Sequence, residues 1–303
     1  MALHVLRTDR TVGYGFILVA AICWGLLGPV ARWALAAGVT PLEIAFWRAV
    51  IGGACFVGHA TWLRIQRGAA PMQRQHLPLM LLFGLIGVSL FYSAYQFAVE
   101  AGGAALASVL LYTAPAWVAV IGVTMLGERL TRFKTTAVAL TLLGVVGIAF
   151  SGANSVQLTW GDIGWGLASS LSYALYYPFG KRYFDDYAPA TIFAYALPIG
   201  ALGLWPLVTL GSKGTGAWAA LAFIGFVSTY GAYLAYGAGL KRLEASRASI
   251  VATLEPVVAA VAAHWWWGER FGAWGYAGAV LVITAAFLAA ADPDPEGEPA
   301  PDV

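Results

Sequence analysis

The chain has 303 residues, 60% of them hydrophobic and only 11% charged, with a net charge of +2. A soluble domain carries about 25% charged residues, so this chain cannot cover a water-facing surface. The same figures exclude a disordered chain and a nucleic-acid binder. A mean hydropathy of +0.74 places the chain in a bilayer.

About 20 apolar residues cross the hydrocarbon as a helix. Ten stretches of that length follow one another: 13–35, 42–63, 77–98, 103–126, 133–151, 162–182, 190–210, 217–240, 248–267 and 272–291. The first reads as a retained span rather than a signal peptide, because no small-residue cleavage site follows a short core. Cys23 and Cys55 fall inside apolar runs and imply no disulfide framework. The tail 292–303 alternates Pro with acids and reads as a disordered segment. The expected fold is an all-α integral membrane protein of ten transmembrane helices.

Thirteen of the 17 basic residues fall at one set of alternate connections when the N-terminus is placed inside. Arg7, Arg10, Arg64, Arg67, Arg74, Arg129, Arg132, Lys134, Lys181, Arg182, Lys241, Arg242 and Arg247 make up that set. The positive-inside rule then puts both termini in the cytoplasm.

The two halves match at a spacing of 141. Ala107-Ser108 aligns with Ala248-Ser249, Pro115 with Pro256, and Gly127-Glu128-Arg129 with Gly268-Glu269-Arg270. Gly84 aligns with Gly225, Tyr92 with Tyr233, and Ala94-Tyr95 with Ala235-Tyr236. The opening helices align at 149, Pro29 on Pro178 and Arg32 on Lys181. The reading is a first five-helix repeat over 13–151 and a second over 160–291. Five is odd, so the second copy enters the membrane from the opposite face. That arrangement of two inverted five-helix repeats around a central cavity suits alternating access.

With Trp24-Gly25, Pro41-Leu42-Glu43, Trp47-Arg48, Leu254-Glu255-Pro256 and the paired Gly-Glu-Arg turns in view, the chain resembles the EamA-type drug/metabolite transporters. The ten-span form is similar to the exporters of that superfamily, the aromatic amino-acid exporter branch among them. The resemblance implies a bacterial inner-membrane carrier that moves amino acids and related metabolites outward. The first repeat departs from the second in having Ala114-Pro115 where the second has Glu255-Pro256.

Polar side chains inside spans face other helices or water. In the third span Ser89, Tyr92, Ser93 and Gln96 recur at helical spacing; in the sixth, Ser169, Ser172, Tyr173 and Tyr176, with Tyr177 beside them. The eighth contributes Thr229, Tyr233 and Tyr236, and the fourth Ser108 and Tyr112. These are read as walls of one cavity, joined by Trp24, although the serines equally serve as helix–helix glue. The expected substrate-binding set is Trp24, Tyr92, Gln96, Tyr112, Tyr173, Tyr176, Tyr177 and Tyr233. Aromatic faces beside hydroxyls and an amide suit a zwitterion with an apolar side chain.

Glu255 is the one carboxylate deep in a span, so it is a candidate coupling or structural acid. Arg48 is read as a structural or gating cation that pairs with Glu43 or snorkels outward, and His264 as packing near the outer interface beside Trp265, Trp266 and Trp267. The Gly-Glu-Arg turns are read as corners. Gly144 and Gly147, with Gly272, Gly275 and Gly278, are read as smooth faces away from the pathway, suited to a dimer surface.

The chain shows no H-E-x-x-H, no G-x-S-x-G and no Walker-type loop, so neither an enzyme nor an ATP-driven pump is expected. No cofactor and no metal are expected either. The expected partners are a small-molecule substrate and membrane lipid, with the chain a monomer or a weak homodimer. The second transport reading is a proton-coupled efflux carrier for drugs or cationic compounds.

Overall fold

The computed structural model describes residues 2–150, 160–270 and 272–292. Ser151 and the tail 293–303 lie outside the described residues, and with them the reading of that tail. Every regular element among the described residues is helical.

Ten rods follow in order. The first is α1 (Ala2–Gly25) with α2 (Leu27–Ala36), and the second is α3 (Pro41–Arg67). The third runs through α4 (Leu77–Phe83), a π-helical stretch (Gly84–Leu90) and the start of α5 (Phe91–Leu111). Helical hydrogen bonding is continuous through α5, yet the Tyr95 and Ser108 hydroxyls meet at 3.4 Å. An unbent helix would hold those residues about 20 Å apart, so the chain reverses between them. The remainder of α5 and α6 (Ala114–Met125) make the fourth rod, and α7 (Arg132–Phe150) the fifth.

The second set repeats this plan. It comprises α8 (Trp160–Ala174) with α9 (Tyr176–Tyr183), then α10 (Pro189–Leu204). Next come α11 (Thr215–Gly225), a π-helical stretch (Phe226–Gly231) and α12 (Ala232–Leu240). The last two rods are α13 (Ala245–Ala252) with α14 (Glu255–Trp267), and α15 (Ala273–Ala291). Among the described residues nine segments are long and apolar enough to span a membrane. The remaining rod, the sixth (α8 with α9), carries Ser169, Ser170, Ser172, Tyr173, Tyr176 and Tyr177, and all six are buried within the bundle.

The breaks have one cause. Proline cannot donate to the carbonyl four residues back, and its ring crowds that carbonyl. Pro29, Pro115, Pro178 and Pro256 stand four residues after Gly25, Leu111, Ala174 and Ala252, and those are the last residues of α1, α5, α8 and α13. Each break thus has a mate in the other repeat. The π-helical stretches also fall at matching positions, as do the corners at Gly127 (φ 69°) and Gly268 (φ 68°), where a left-handed backbone favours glycine.

The repeats interlock. α1 packs along α12 and α8 along α5; α3 packs on α10 and α7 on α15. Three of the glycines read as smooth faces meet in the last of these contacts, Gly144 and Gly147 of α7 lying against the backbone of Gly278. Both described ends lie at one face, where the Arg10 guanidinium donates to the Asp292 carbonyl at 3.5 Å. That face is called the terminal face below.

Candidate functional site

Between the repeats lies a cavity of about 860 Å³. Its walls run from mid-depth to the face opposite the termini, where Arg32, Leu35, Pro41, Trp267, Glu269 and Arg270 form its rim. Arg32 pairs with Glu269 there, and its guanidinium also lies 4.5 Å above the Trp267 ring. Glu269 and Arg270 therefore belong to the cavity mouth, not only to a corner. His264 Nδ1 lies 2.6 Å from the Glu269 carbonyl, which ties the end of α14 to that loop.

The floor is aromatic. Trp24 stands edge-on to Tyr173 and Tyr233, with ring centroids 6.3 and 5.8 Å away. Phe91 stacks on Tyr173 at 5.4 Å, and Phe193 backs Tyr233 at 4.5 Å. The hydroxyls of Tyr92 and Tyr233, repeat mates 141 residues apart, meet at 3.0 Å. Tyr233 donates to Tyr176 at 3.3 Å, and Tyr176 donates to the Gly87 carbonyl at 2.6 Å. Each hydroxyl has one proton, so Tyr92 donates to Tyr233 and the relay is directional.

Trp24, Tyr92, Gln96, Tyr112, Tyr173, Tyr233 and Glu255 all line the cavity. Tyr176 and Tyr177 do not; they lie beneath the floor, where Tyr177 reaches the Tyr173 hydroxyl at 3.3 Å and meets Tyr236 edge-to-face. Ser89 and Ser93 also turn away. Ser89 donates to the Gly200 carbonyl at 2.9 Å, and Ser93 to the Ser89 carbonyl at 2.7 Å. The π-helical stretch ending at Leu90 widens the turn and breaks the spacing of three and four that grouped Ser89 with Tyr92; Ser93 is the residue after Tyr92 in α5 and so points about 100° round the helix from it.

Arg48 is a cavity residue, and Glu43 is not its partner. Glu43 lies at the start of α3, paired with Lys213, and it accepts the Gly211 N–H at 3.3 Å. Arg48 lies flat above the Tyr92 ring at 4.3 Å, and its Nε donates to Thr229 Oγ1 at 3.3 Å. Ser108 lines the cavity beside Tyr112, as the spacing suggests; Tyr95 and Phe91 are further lining residues that it did not single out.

Beneath the floor the terminal face is closed by polar contacts, most of them between the two halves of the chain. Glu128 accepts the Ser246 N–H at 3.2 Å at the start of α13, where a helix offers unpaired N–H groups. Lys134 pairs with Glu244 at 3.0 Å, Arg247 with Asp292 at 3.2 Å, and Arg242 with Asp9 at 2.8 Å.

Residues 11–150 and 160–291 each match the EamA-like transporter family. The chain belongs to that family. Among curated relatives, an uncharacterized transporter of Archaeoglobus fulgidus is 29% identical over 68% of this chain and 75% of its own length. A probable terminal-alkyne amino-acid exporter of Streptantibioticus cattleyicolor is 25% identical over 88% and 91%. An uncharacterized inner membrane transporter of Salmonella typhimurium, YicL, is 23% identical over 91% and 94%. A solved crystal structure, 18% identical, covers 93% of this chain and 96% of its own with a TM-score of 0.77, and it shares the fold. As an EamA-like transporter, the chain is a multi-pass membrane protein, and its two matched segments are the two sets of five rods.

Proposed function

We propose that this EamA-like protein is a secondary carrier. It exports amino acids with aromatic or other apolar side chains, and related small metabolites, across a bacterial inner membrane by alternating access. One observation carries the reading: a mid-depth aromatic cavity reaches one face only, and it ends on a floor where equivalent residues of the two inverted repeats meet. A site on the axis relating such repeats can be offered to either side by exchanging their conformations.

The cavity volume falls within the range of about 300–1,000 Å³ usual for small-molecule sites. Basic residues at the terminal face, Lys134, Arg242 and Arg247 among them, make it the cytoplasmic side by the positive-inside rule. The cavity then faces outward, and both termini are inside. The likeness to the probable terminal-alkyne amino-acid exporter of Streptantibioticus supports the amino-acid class. Among the described residues the Tyr236 hydroxyl, buried beneath the floor, has no hydrogen-bond partner; in this reading it gains one when the terminal face opens.

The test is counterflow in proteoliposomes with a panel of amino acids, nucleobases and cationic dyes. Saturable exchange of apolar amino acids, stimulated from the opposite side, is the expected result. Exchange of dyes alone would favour the drug-efflux reading, and flux without trans-stimulation would make the protein a pore. Within the panel, Tyr173→Ala is expected to weaken uptake of phenylalanine or tryptophan by about three- to tenfold, the worth of one aromatic contact, and to leave alanine nearly unaffected. Equal losses for large and small side chains would remove Tyr173 from the side-chain pocket.

A further inference from the structure

We propose that Arg48 and Glu255 are the two poles of a clamp for the head group of an α-amino acid, Arg48 receiving the carboxylate and Glu255 the ammonium. The proposal rests on the transport reading for its substrate class, and it names the residues that would recognise the charges.

Both side chains line the one cavity, and each comes from a different repeat. Arg48 lies seven residues into α3, roughly 10 Å from the rim face; Glu255 opens α14, roughly 18 Å before its end at Trp267. They form no ion pair with each other among the described residues, although both face the same cavity. The contacts of Arg48 use its Nε and its flat face, against Thr229 and Tyr92. The terminal nitrogens, which form the fork that grips a carboxylate, have no hydrogen-bond partner among the described residues. Glu255 likewise has no cationic partner in contact among the described residues; Tyr112 lines the cavity with it.

Isolated charges at this depth are costly, and a gap between opposite charges is filled best by a solute that carries both. The same arrangement works against solutes with one charge. A bare anion meets Glu255, and a bare cation meets Arg48, so discrimination comes from repulsion as well as attraction. With its head group between the poles, the solute's side chain falls on the aromatic floor of Trp24, Tyr173 and Tyr233. The other charges lining the cavity, Arg32, Glu269 and Arg270, lie at its rim, where Arg32 and Glu269 satisfy each other.

The test uses three probes sharing one ring: L-phenylalanine, phenethylamine, which lacks the carboxylate, and 3-phenylpropionate, which lacks the amine. Binding is measured by calorimetric titration of the full-length protein in detergent, and exchange by counterflow in proteoliposomes. The wild type is expected to prefer phenylalanine over either truncated probe by about tenfold or more. Arg48→Met should abolish the preference over phenethylamine and keep the preference over 3-phenylpropionate. Glu255→Gln should do the reverse, and Arg48→Lys should restore part of what Arg48→Met loses.

Equal binding of all three probes by the wild type overturns the clamp. So does a uniform loss of all three in both variants, which is what a purely structural pair would give. Counterflow with equal binding overturns the clamp and leaves the carrier. The crossed binding pattern without counterflow supports the clamp and overturns the transport reading.

Discussion

Glu244→Ala is expected to destabilise the protein by about 3–5 kcal/mol, the cost of leaving buried charge unpaired. Glu244 holds two cations at once, Lys134 through one carboxylate oxygen at 3.0 Å and Arg247 through the other. Both side chains are only 1% exposed. Arg247 keeps the Asp292 carboxylate, but Lys134 keeps only the Arg129 carbonyl at 2.8 Å, so the uncompensated charge is the Lys134 ammonium. Thermal unfolding in detergent should show a fall in Tm of several degrees; an unchanged Tm would mean that the cations are satisfied without Glu244.

The same residue sets an acid limit. Burial raises the Glu244 carboxyl, but the Lys134 ammonium and the Arg247 guanidinium outweigh burial and hold it below the usual carboxylate range. A carboxyl depressed in the folded state adds stability above its unfolded pKa, and that stability is lost as pH falls through the folded value. The wild type should therefore lose Tm on acidification below about pH 4.3, the ordinary glutamate value. Glu244→Gln should show a flatter profile over that interval.

Gly144→Val is the second large effect. A Cβ at Gly144 would lie 2.6 Å from the Gly278 carbonyl oxygen and 3.0 Å from the Val282 nitrogen. Both are backbone atoms of α15, so no rotamer change relieves the clash. The helices must separate, at about 3 kcal/mol or more, and the fifth and tenth rods lose their mutual contact. Yield of monodisperse protein in detergent should collapse. Gly58→Val, where an added Cβ meets nothing within 4 Å, is the control; equal losses at both positions would point to helix propensity rather than contact.

Much of this architecture is legible in the chain because it is written twice. The register of 141 that pairs Pro115 with Pro256 and Gly127 with Gly268 reappears as matched breaks and matched corners. Proline and glycine act locally, through a missing donor and a permitted φ, so their effects follow from sequence. The side-chain faces are less legible. Counting in threes and fours placed Ser89 beside Tyr92, but the π-helical stretch adds a residue to the turn, and a π turn has no strong local signature. Glu43 is one of the two readings for Arg48, although five residues along a helix places them on different faces. The true partner of Glu43, Lys213, arrives from a loop far along the chain, and nothing local announces it. Tyr176 and Tyr177 share the composition of the lining residues but sit past the break at Leu175, which drops them beneath the floor.

The hydrogen bond between Tyr92 and Tyr233 joins a residue to its own counterpart. When two copies trade shapes, a contact between unlike partners is replaced by its mirror version. Glu128 capping Ser246 is of that kind; its counterpart would set Glu269 against Ala105, which has no hydroxyl to offer. A contact between counterparts keeps the same two residues and only reverses donor and acceptor. Under the proposed exchange the Tyr92 and Tyr233 pair would need no new partner, only a turn of two hydroxyls.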